Sequence, residues 1–290
     1  MKKKANFFNV YGGSYLLDNY SPATAYSIAR RLSATHANPM TIRNGVTNDT
    51  LLCQWDSNNE LDIPHIENWL GSDYATVDVI YDASGNGRHL NAVGFGGNIA
   101  TDGVVNVTSA GYPYIVETVN SGNNFATSGF SIAGGDMNLF LLVVGANTIA
   151  DSADNAIFGI APFDGQSGSG VRRIQSLTNE NNTNHGIRTF NGATVFNTSI
   201  YEGTNYKLDT VYHIQGNSGF IGKVNGDLLT ETSDSITSIN LNTSSRIQVL
   251  SVTSNNGKAT GRFTEGIVFL TDIEAQLSDL ESNIITYYNL

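Results

Sequence analysis

The hydrophobic and polar positions of this chain follow two different periods. From residue 75 onward, short apolar runs rich in valine, isoleucine and phenylalanine alternate with turns of glycine, asparagine and serine. Strands of this length and spacing are typical of an all-β sandwich. The clearest turn is Asn225-Gly226, which lies between two apolar runs and predicts a hairpin with a type I′ turn.

Helical spacing is found near the N-terminal end of the chain. Ser21-Pro22 has the residue types of a helix start. Ala25, Ile28, Ala29 and Leu32 then recur at helical spacing, which predicts an amphipathic helix over residues 22–34. A second, shorter helix is predicted to begin at Asp62-Ile63-Pro64 and to end at Gly71.

The C-terminal segment also has the pattern of a helix. Thr271 followed by Glu274 predicts a capping box at its start. One apolar stripe follows, made of Ile273, Leu277, Leu280, Ile284 and Tyr287 or Tyr288. We expect this stripe to lie on the sandwich.

The chain shows neither an internal repeat nor a linker, so residues 12–290 are predicted to form one domain, preceded by an arm at residues 1–11. The arm is expected to dock on a neighbouring subunit or a larger assembly, with a solvated, frayed tail as the alternative. Homo-oligomerisation is the corresponding prediction. The residues assigned to assembly are Lys2, Lys3, Lys4, Phe7 and Phe8.

Charge and composition exclude some classes of function. The formal net charge is −11 and the pI is about 4.7, which argues against binding to nucleic acid. No apolar run reaches the ~18 residues of a membrane span, and no signal peptide is recognisable, so synthesis in a cytoplasm is expected. The single cysteine, Cys53, excludes an internal disulfide and is expected to be buried and unreactive.

A glycine-rich loop follows the predicted strand at 77–81. Asp82 and Ser84 can accept hydrogen bonds from nearby backbone, and Gly85 and Gly87 can adopt the positive φ angles of a tight turn. We therefore assign Asp82, Ser84, Gly85, Asn86 and Gly87 to a structural loop. A weak calcium site at Asp82 and Asn86 is the alternative, because their oxygens alternate along the chain.

Three blocks of sequence, at 15–32, 61–90 and 261–270, resemble one group of proteins. The segment from Tyr81 to Leu90, with the pattern Y-D-x-S-G-N-G-x-H-L, carries most of the likeness. It is similar to concanavalin-A-like sandwiches, including laminin-G-like domains, α-L-arabinofuranosidase catalytic domains and tailed-bacteriophage surface proteins. The resemblance implies a concanavalin-A-like jelly roll with short N-terminal helices and a C-terminal helix.

The resemblance to hydrolases implies a pair of catalytic carboxylates. No such pair is recognisable in the sequence, and Glu265, within an apolar strand, is the first candidate if the chain is a hydrolase. The alternative is that Glu265 faces outward or pairs with Arg262. No cofactor is expected, because the five histidines lack metal spacing and no phosphate-binding loop is present.

The leading functional hypothesis from the sequence is a non-enzymatic structural protein of a bacteriophage particle. It would be a head decoration, a head fibre or a tail-associated subunit, located in the virion. Its expected partners are other virion proteins, further copies of itself and surface glycans of the host. The alternatives are a glycoside hydrolase of the arabinofuranosidase type and a free carbohydrate-binding module.

Overall fold

The computed structural model describes residues 15–93, 97–116, 124–127, 137–147, 155–162, 174–178, 185–189, 194–198, 206–217, 219–229, 231–233, 245–250 and 261–290. The strands of the first half are β1 (Thr24–Ser27), β2 (Met40–Asn44), β3 (Thr50–Leu52), β4 (Ala75–Ile80), β5 (Leu90–Val93), β6 (Asn98–Thr101), β7 (Val104–Val105), β8 (Ile115–Val116), β9 (Asn124–Thr127) and β10 (Leu139–Asn147).

The strands of the second half are β11 (Asn155–Pro162), β12 (Ile174–Thr178), β13 (His185–Thr189), β14 (Thr194–Thr198), β15 (Lys207–His213), β16 (Ile221–Val224), β17 (Asp227–Leu228), β18 (Glu231–Ser233), β19 (Ser245–Val249) and β20 (Gly261–Phe269). The α-helices are α1 (Ile63–Leu70) and α2 (Glu274–Tyr288). This content confirms the prediction of an all-β fold with a C-terminal helix.

The strands form two antiparallel layers. The first layer has the order β1-β20-β10-β15-β16-β17. The second has the order β3-β2-β4-β5-β9-β19-β11-β12-β13-β14-β18. Strand β8 pairs with both β20 and β6, and β6 pairs with β4, so this path joins the two layers.

The main hydrophobic core lies between the two layers. Phe158 of β11 stacks on Phe263 of β20 with ring centroids 5.9 Å apart and also contacts Tyr26 of β1. A Cβ atom at Gly266 would lie 2.5 Å from the Phe158 ring, so only glycine allows this close approach. The two layers are therefore packed face to face, as a sandwich requires.

Helix α2 covers the outer face of the first layer. Its apolar stripe is buried against outward-facing residues of β10 and β20, such as Leu142 and Ile267. This confirms the predicted packing of the C-terminal stripe. The prediction of a capping box from Thr271 to Glu274 is wrong. The helix begins at Glu274, and the Glu274 backbone N–H donates to Asp272 Oδ1 at 2.9 Å.

The predicted helix over residues 22–34 is wrong, since the chain forms β1 there. Strand β1 is buried on both sides. Tyr26 and Ile28 enter the core between the layers, whereas Ala25 and Ala29 pack beneath α2. A strand with two buried faces does not alternate between apolar and polar residues, and its apolar spacing here happened to match a helix.

Two local predictions are confirmed. Helix α1 begins after Asp62, whose side chain accepts the His65 backbone N–H, and it ends at Gly71. Asn225 and Gly226 have φ angles of 49° and 86° between β16 and β17, as a type I′ turn requires. None of the helices in the described ranges is both long and apolar enough to cross a membrane.

The predicted arm at residues 1–11 lies outside the described residues. Two statements therefore stay predictions: the homo-oligomeric state, and docking through the arm residues Lys2, Lys3, Lys4, Phe7 and Phe8.

Candidate functional site

Glu265 is the centre of a buried polar cluster beneath α2. The carboxylate has an exposed fraction of 1% and forms a two-pronged ion pair with Arg30. Arg30 Nε donates to Oε2 at 2.9 Å and Nη2 donates to Oε1 at 2.8 Å. The Tyr288 hydroxyl also donates to Oε2, at 2.9 Å. This arrangement joins three distant parts of the chain.

The same cluster holds the end of α2 in place. Arg30 Nη1 donates to the Asn283 side chain at 2.8 Å, and its guanidinium lies 4.4 Å from the centroid of the Tyr287 ring. Burial above all, and then the Glu265 carboxylate, raise the pKa of the Tyr288 hydroxyl well above its ordinary value. Tyr288 therefore keeps its proton and remains a donor to Glu265.

This geometry assigns Glu265 a structural task. A carboxylate that attacks a sugar or protonates a leaving group must be reached by that sugar. Glu265 is instead enclosed beneath α2, and both of its oxygens accept hydrogen bonds from Arg30. Arg262, the partner that the sequence offered as an alternative, instead lies against Tyr114, with its guanidinium 4.5 Å from the ring centroid.

The Asp82 loop ties the two layers together. Asp82 follows β4 of the second layer, and its Oδ1 accepts the backbone N–H of Ala25 in β1 of the first layer at 3.1 Å. Its Oδ1 also accepts the Ser84 N–H, and its Oδ2 accepts the Ser84 hydroxyl and the Arg88 N–H. Asn86 reaches back to the carbonyl oxygens of residues 22 and 23.

Positive backbone angles complete this loop. Gly85 and Gly87 have φ angles of 83° and 70°, which a side chain would make costly. The oxygens of Asp82 that calcium would need are taken up by N–H and O–H donors. In the described ranges no three histidine, cysteine, aspartate or glutamate side chains are grouped as metal ligands.

The residues that flank this loop face outward on the second layer. Tyr81 follows the buried Ile80, and His89 precedes the buried Leu90. The Tyr81 and His89 rings meet edge to face with centroids 5.1 Å apart. The Tyr81 hydroxyl lies 2.8 Å from the hydroxyl of Thr41 on β2. We call this surface the polar face, defined as Thr41, Arg43, Asp78, Tyr81, His89 and Asn91.

Strand register brings the polar face together. Thr41 pairs with Val79, and Val79 pairs with Asn91 on the next strand. Neighbouring strands lie about 4.8 Å apart, so these residues form one row across three strands. Asn91 is exposed, whereas Thr41 and Tyr81 are half-buried.

Two contacts set the chemistry of the polar face. His89 Nδ1 accepts the Asp82 backbone N–H at 3.1 Å, so the neutral imidazole carries its proton on Nε2 and can donate from it. Arg43 and Asp78 form a two-pronged pair at 3.2 and 2.6 Å. The polar face therefore offers an aromatic ring, hydroxyl groups, an amide and a fixed imidazole donor on a rigid sheet.

Sequence reasoning found the loop but missed these flanking side chains. Tyr81 and His89 belong to the motif from Tyr81 to Leu90. They are neighbours of the buried Ile80 and Leu90, and this alternation along a strand was the signal that both side chains face outward. It also missed Arg30 as the partner of Glu265, because the two residues lie 235 positions apart.

Two other buried groups, the Cys53 thiol and the His36 imidazole, are uncharged at neutral pH. Burial raises the pKa of the Cys53 thiol to about 12, which confirms the expected unreactive cysteine. Burial above all lowers the pKa of His36 to about 3, and its Nε2 has no hydrogen-bond partner in the described part of the chain.

Acid is therefore expected to weaken the fold through His36. The unfolded histidine takes up a proton below its ordinary pKa of 6.5, whereas the folded one does so only near 3. The contribution of His36 to the free energy of unfolding is fully present above about pH 6.5 and is lost as the pH is lowered towards 3. Urea unfolding should show that the free energy of unfolding decreases between pH 7 and pH 4 in both proteins. The decrease should be about 3 kcal/mol smaller in His36→Gln than in the wild type. An identical decrease in both proteins would contradict this assignment.

The fold is similar to that of glycoside hydrolases. One match is a glutamate-to-glutamine mutant of a GH54 α-L-arabinofuranosidase soaked with 4-nitrophenyl α-L-arabinofuranoside, with 18% identity and a TM-score of 0.69. Another is an arabinofuranosidase complexed with arabinofuranosyl-α-1,2-xylobiose, with 16% identity and a TM-score of 0.67. Both matches cover 92% of this chain, which spans 63% and 62% of those chains.

No protein-family model matches the sequence, and no curated protein matches it. At these identities the structural likeness shows a shared fold of the concanavalin-like, jelly-roll type. It confirms the fold that the sequence blocks implied.

The leading functional hypothesis from the sequence is wrong. Three similar structures are arabinofuranosidases, and they give no link to a bacteriophage particle. Of the functions considered from the sequence, the glycoside hydrolase is the one that shares its fold with these structures. The likeness that suggested a virion protein came from segments that build the sandwich, such as the Asp82 loop, and these serve the fold whatever the function.

Proposed function

We propose that this protein binds carbohydrate and that the polar face is its contact surface. The observation that carries the proposal is the set of hydrogen-bonding groups fixed around the Tyr81 ring. Sugars present hydroxyl groups at the edge of a ring and C–H groups on its faces, so they are held by donors and acceptors beside an aromatic side chain.

The rigidity of the polar face supports this proposal. Tyr81 is held by Thr41 and by the His89 ring, and His89 is held in turn by the Asp82 N–H. Groups that are already ordered lose little conformational freedom when a ligand binds. The hydroxyl, imidazole and amide of Thr41, His89 and Asn91 can donate or accept without rearrangement.

The fold also supports this proposal. One similar structure was soaked with an arabinofuranoside and another is a complex with an arabinofuranosyl-xylobiose, and each match extends over 92% of the present chain. Fold alone does not define a ligand. The branched trisaccharide arabinofuranosyl-α-1,2-xylobiose is nevertheless a rational first probe, with unbranched xylobiose beside it.

Removing the Tyr81 ring is expected to weaken sugar binding about tenfold or more. The loss combines ring contact with one hydrogen bond. Isothermal titration with the branched trisaccharide should show this loss for Tyr81→Ala, and a smaller one for Tyr81→Phe, which keeps the ring.

Tyr15→Ala is the matched control, because Tyr15 is a partly buried tyrosine that stacks with Arg31 away from the polar face. Its affinity should equal that of the wild type. Unchanged binding in Tyr81→Ala, with an unfolding temperature near that of the wild type, would rule out the polar face.

Hydrolysis is the second candidate function, because the matched structures are hydrolases. Release of 4-nitrophenol from 4-nitrophenyl α-L-arabinofuranoside tests it directly. A rate above that of a heat-denatured sample would establish turnover. Binding of the trisaccharide without turnover would leave the binding module as the answer.

A further inference from the structure

Arg262 occupies an unusual position at the start of β20. It pairs with Val116 of β8 on one side and with Ala146 of β10 on the other. Its guanidinium lies 4.5 Å from the centroid of the Tyr114 ring. The residue as a whole is half-buried, and its Nε atom is completely buried.

The Arg262 guanidinium has no hydrogen-bond acceptor or acidic partner in the described part of the chain. Its Nε atom is buried without a partner. A charged group that is partly removed from water costs free energy unless something accepts its hydrogen bonds. The protein carries a formal net charge of −11, so acidic side chains are plentiful, yet none has been placed beside this arginine among the described residues.

Arg31 makes the contrast clear. Its guanidinium lies 4.8 Å from the centroid of the Tyr15 ring, nearly the same stacking geometry. Arg31, however, donates to the backbone carbonyl oxygens of Ser33 and Ala34 at 3.2 and 2.6 Å. Two Arg31 nitrogens are therefore paired within the fold, whereas the Arg262 guanidinium has no acceptor in the described part of the chain.

A second tyrosine lies beside this arginine. The Tyr206 and Tyr114 rings have centroids 6.2 Å apart, and the Tyr206 hydroxyl oxygen lies 3.3 Å from the Thr264 hydroxyl oxygen. Tyr206 immediately precedes Lys207, which pairs with Gly145, so it stands next to Ala146 and two strands from Arg262. Burial above all raises the pKa of Tyr206 above its ordinary value, so this group is a neutral phenol.

We propose that Arg262, Tyr114 and Tyr206 form a second binding site, which takes the carboxylate of a uronic-acid sugar. The planar guanidinium presents paired N–H donors that match the two oxygens of a carboxylate. The two tyrosines provide the ring surface and hydroxyl groups that a sugar would contact. The site lies on the first layer and is distinct from the polar face on the second.

This proposal rests on the proposed function in one respect, that the carboxylate belongs to a saccharide. The carboxylate chemistry is independent of that function. A plain carboxylate would contact Arg262 alone, whereas a uronate would also contact the tyrosines. Methyl β-D-glucuronide, methyl β-D-glucoside and acetate therefore separate the contributions of charge and ring.

Titration of the full chain with these compounds tests the site. Methyl β-D-glucuronide should bind, and the glucoside and acetate should bind at least about tenfold more weakly, since each lacks one part of the contact. Arg262→Gln should weaken binding of the glucuronide about tenfold or more. The affinity of Arg262→Lys for the glucuronide should lie between those of the wild type and Arg262→Gln, because lysine keeps the charge and loses the planar pair of donors.

Arg31→Gln is the control, because it removes an equally stacked arginine whose donors are already used. It should leave the affinity for glucuronide unchanged. Arg262→Gln should unfold near the temperature of the wild type, since it loses the contact with the Tyr114 ring and also removes a partly buried charge that has no acceptor in the described part of the chain. Lost binding then cannot be ascribed to lost structure.

Three results would overturn the proposal. They are no binding of glucuronide to the wild type, equal binding by Arg262→Gln, and acetate binding as tight as glucuronide, which would leave only an anion site. If Tyr81→Ala binds the trisaccharide as tightly as the wild type does, the polar face is ruled out and the Arg262 site is unaffected. The two proposals therefore fail separately.

Discussion

Glu265→Gln is expected to destabilise the protein by about 3 to 5 kcal/mol, because it leaves the Arg30 guanidinium buried without a counter-charge. Arg30 is buried beneath α2, and Glu265 is its ion-pair partner. The amide of glutamine can satisfy at most part of the hydrogen bonds that the carboxylate accepts. Urea unfolding at neutral pH measures the change in the free energy of unfolding.

A double variant tells a structural ion pair from a catalytic carboxylate. Arg30→Met combined with Glu265→Met removes both charges, so it should recover a large part of the stability lost in Glu265→Gln. Should the protein prove to hydrolyse arabinofuranosides, this account predicts that loss of activity in Glu265→Gln follows loss of folded protein. Wild-type stability with abolished hydrolysis in Glu265→Gln would contradict it and restore Glu265 as a catalytic group.

Asp82→Ala is the second change with a large expected effect, again about 3 to 5 kcal/mol of lost stability. It removes the acceptor of the Ala25 backbone N–H and of the Thr24 hydroxyl, both buried, and unsatisfied buried donors cost about 1 to 3 kcal/mol each. The Asp82 side chain also joins the two layers, so its loss loosens their packing at this end.

Ser84→Ala is the control for Asp82→Ala, because it deletes the hydroxyl that donates to the same carboxylate and leaves the other donors in place. A loss of about 1 kcal/mol is expected for it. Urea unfolding of both variants gives the comparison. Equal losses in the two variants, or a change below about 1 kcal/mol in Asp82→Ala, would show that the loop does not join the layers as described.

The sequence was most informative where local chemistry determines the structure. Asn225-Gly226 requires positive φ angles, and the Asp62 cap with Pro64 starts a helix whatever packs around it. The Asp82 loop was recognisable for the same reason, since its carboxylate accepts hydrogen bonds from Ser84 and Arg88, which lie within six positions, as well as from the distant Ala25.

Long-range burial was the part that a single sequence could not reveal. Strand β1 has the apolar spacing of a helix only because α2 covers one face and the second layer covers the other. Strands β2 and β5 were not predicted, since residues such as Arg43 and Asn91 interrupt their apolar runs on the outward side. Only the paired strands show that these polar side chains belong to one surface.

The candidate site was hidden for a related reason. Glu265 attracted attention because a carboxylate in an apolar strand is unusual, yet its partner Arg30 is remote in the sequence. Tyr81 ended a predicted strand and His89 lay in the loop motif, and only the register places both beside Thr41 and Asn91.

The long-range ¹H–¹⁵N spectrum of the histidine rings reports whether a sugar contacts the polar face, because the chain has only five histidines and His89 is one of them. His89→Gln assigns the His89 signals, and the buried His36 and His213 serve as internal references. On addition of arabinofuranosyl-α-1,2-xylobiose to saturation, this account predicts that the His89 signals shift while those of His36 and His213 stay in place. Binding seen by calorimetry with unmoved His89 signals, or the absence of any binding, would contradict the assignment of the polar face as the carbohydrate contact.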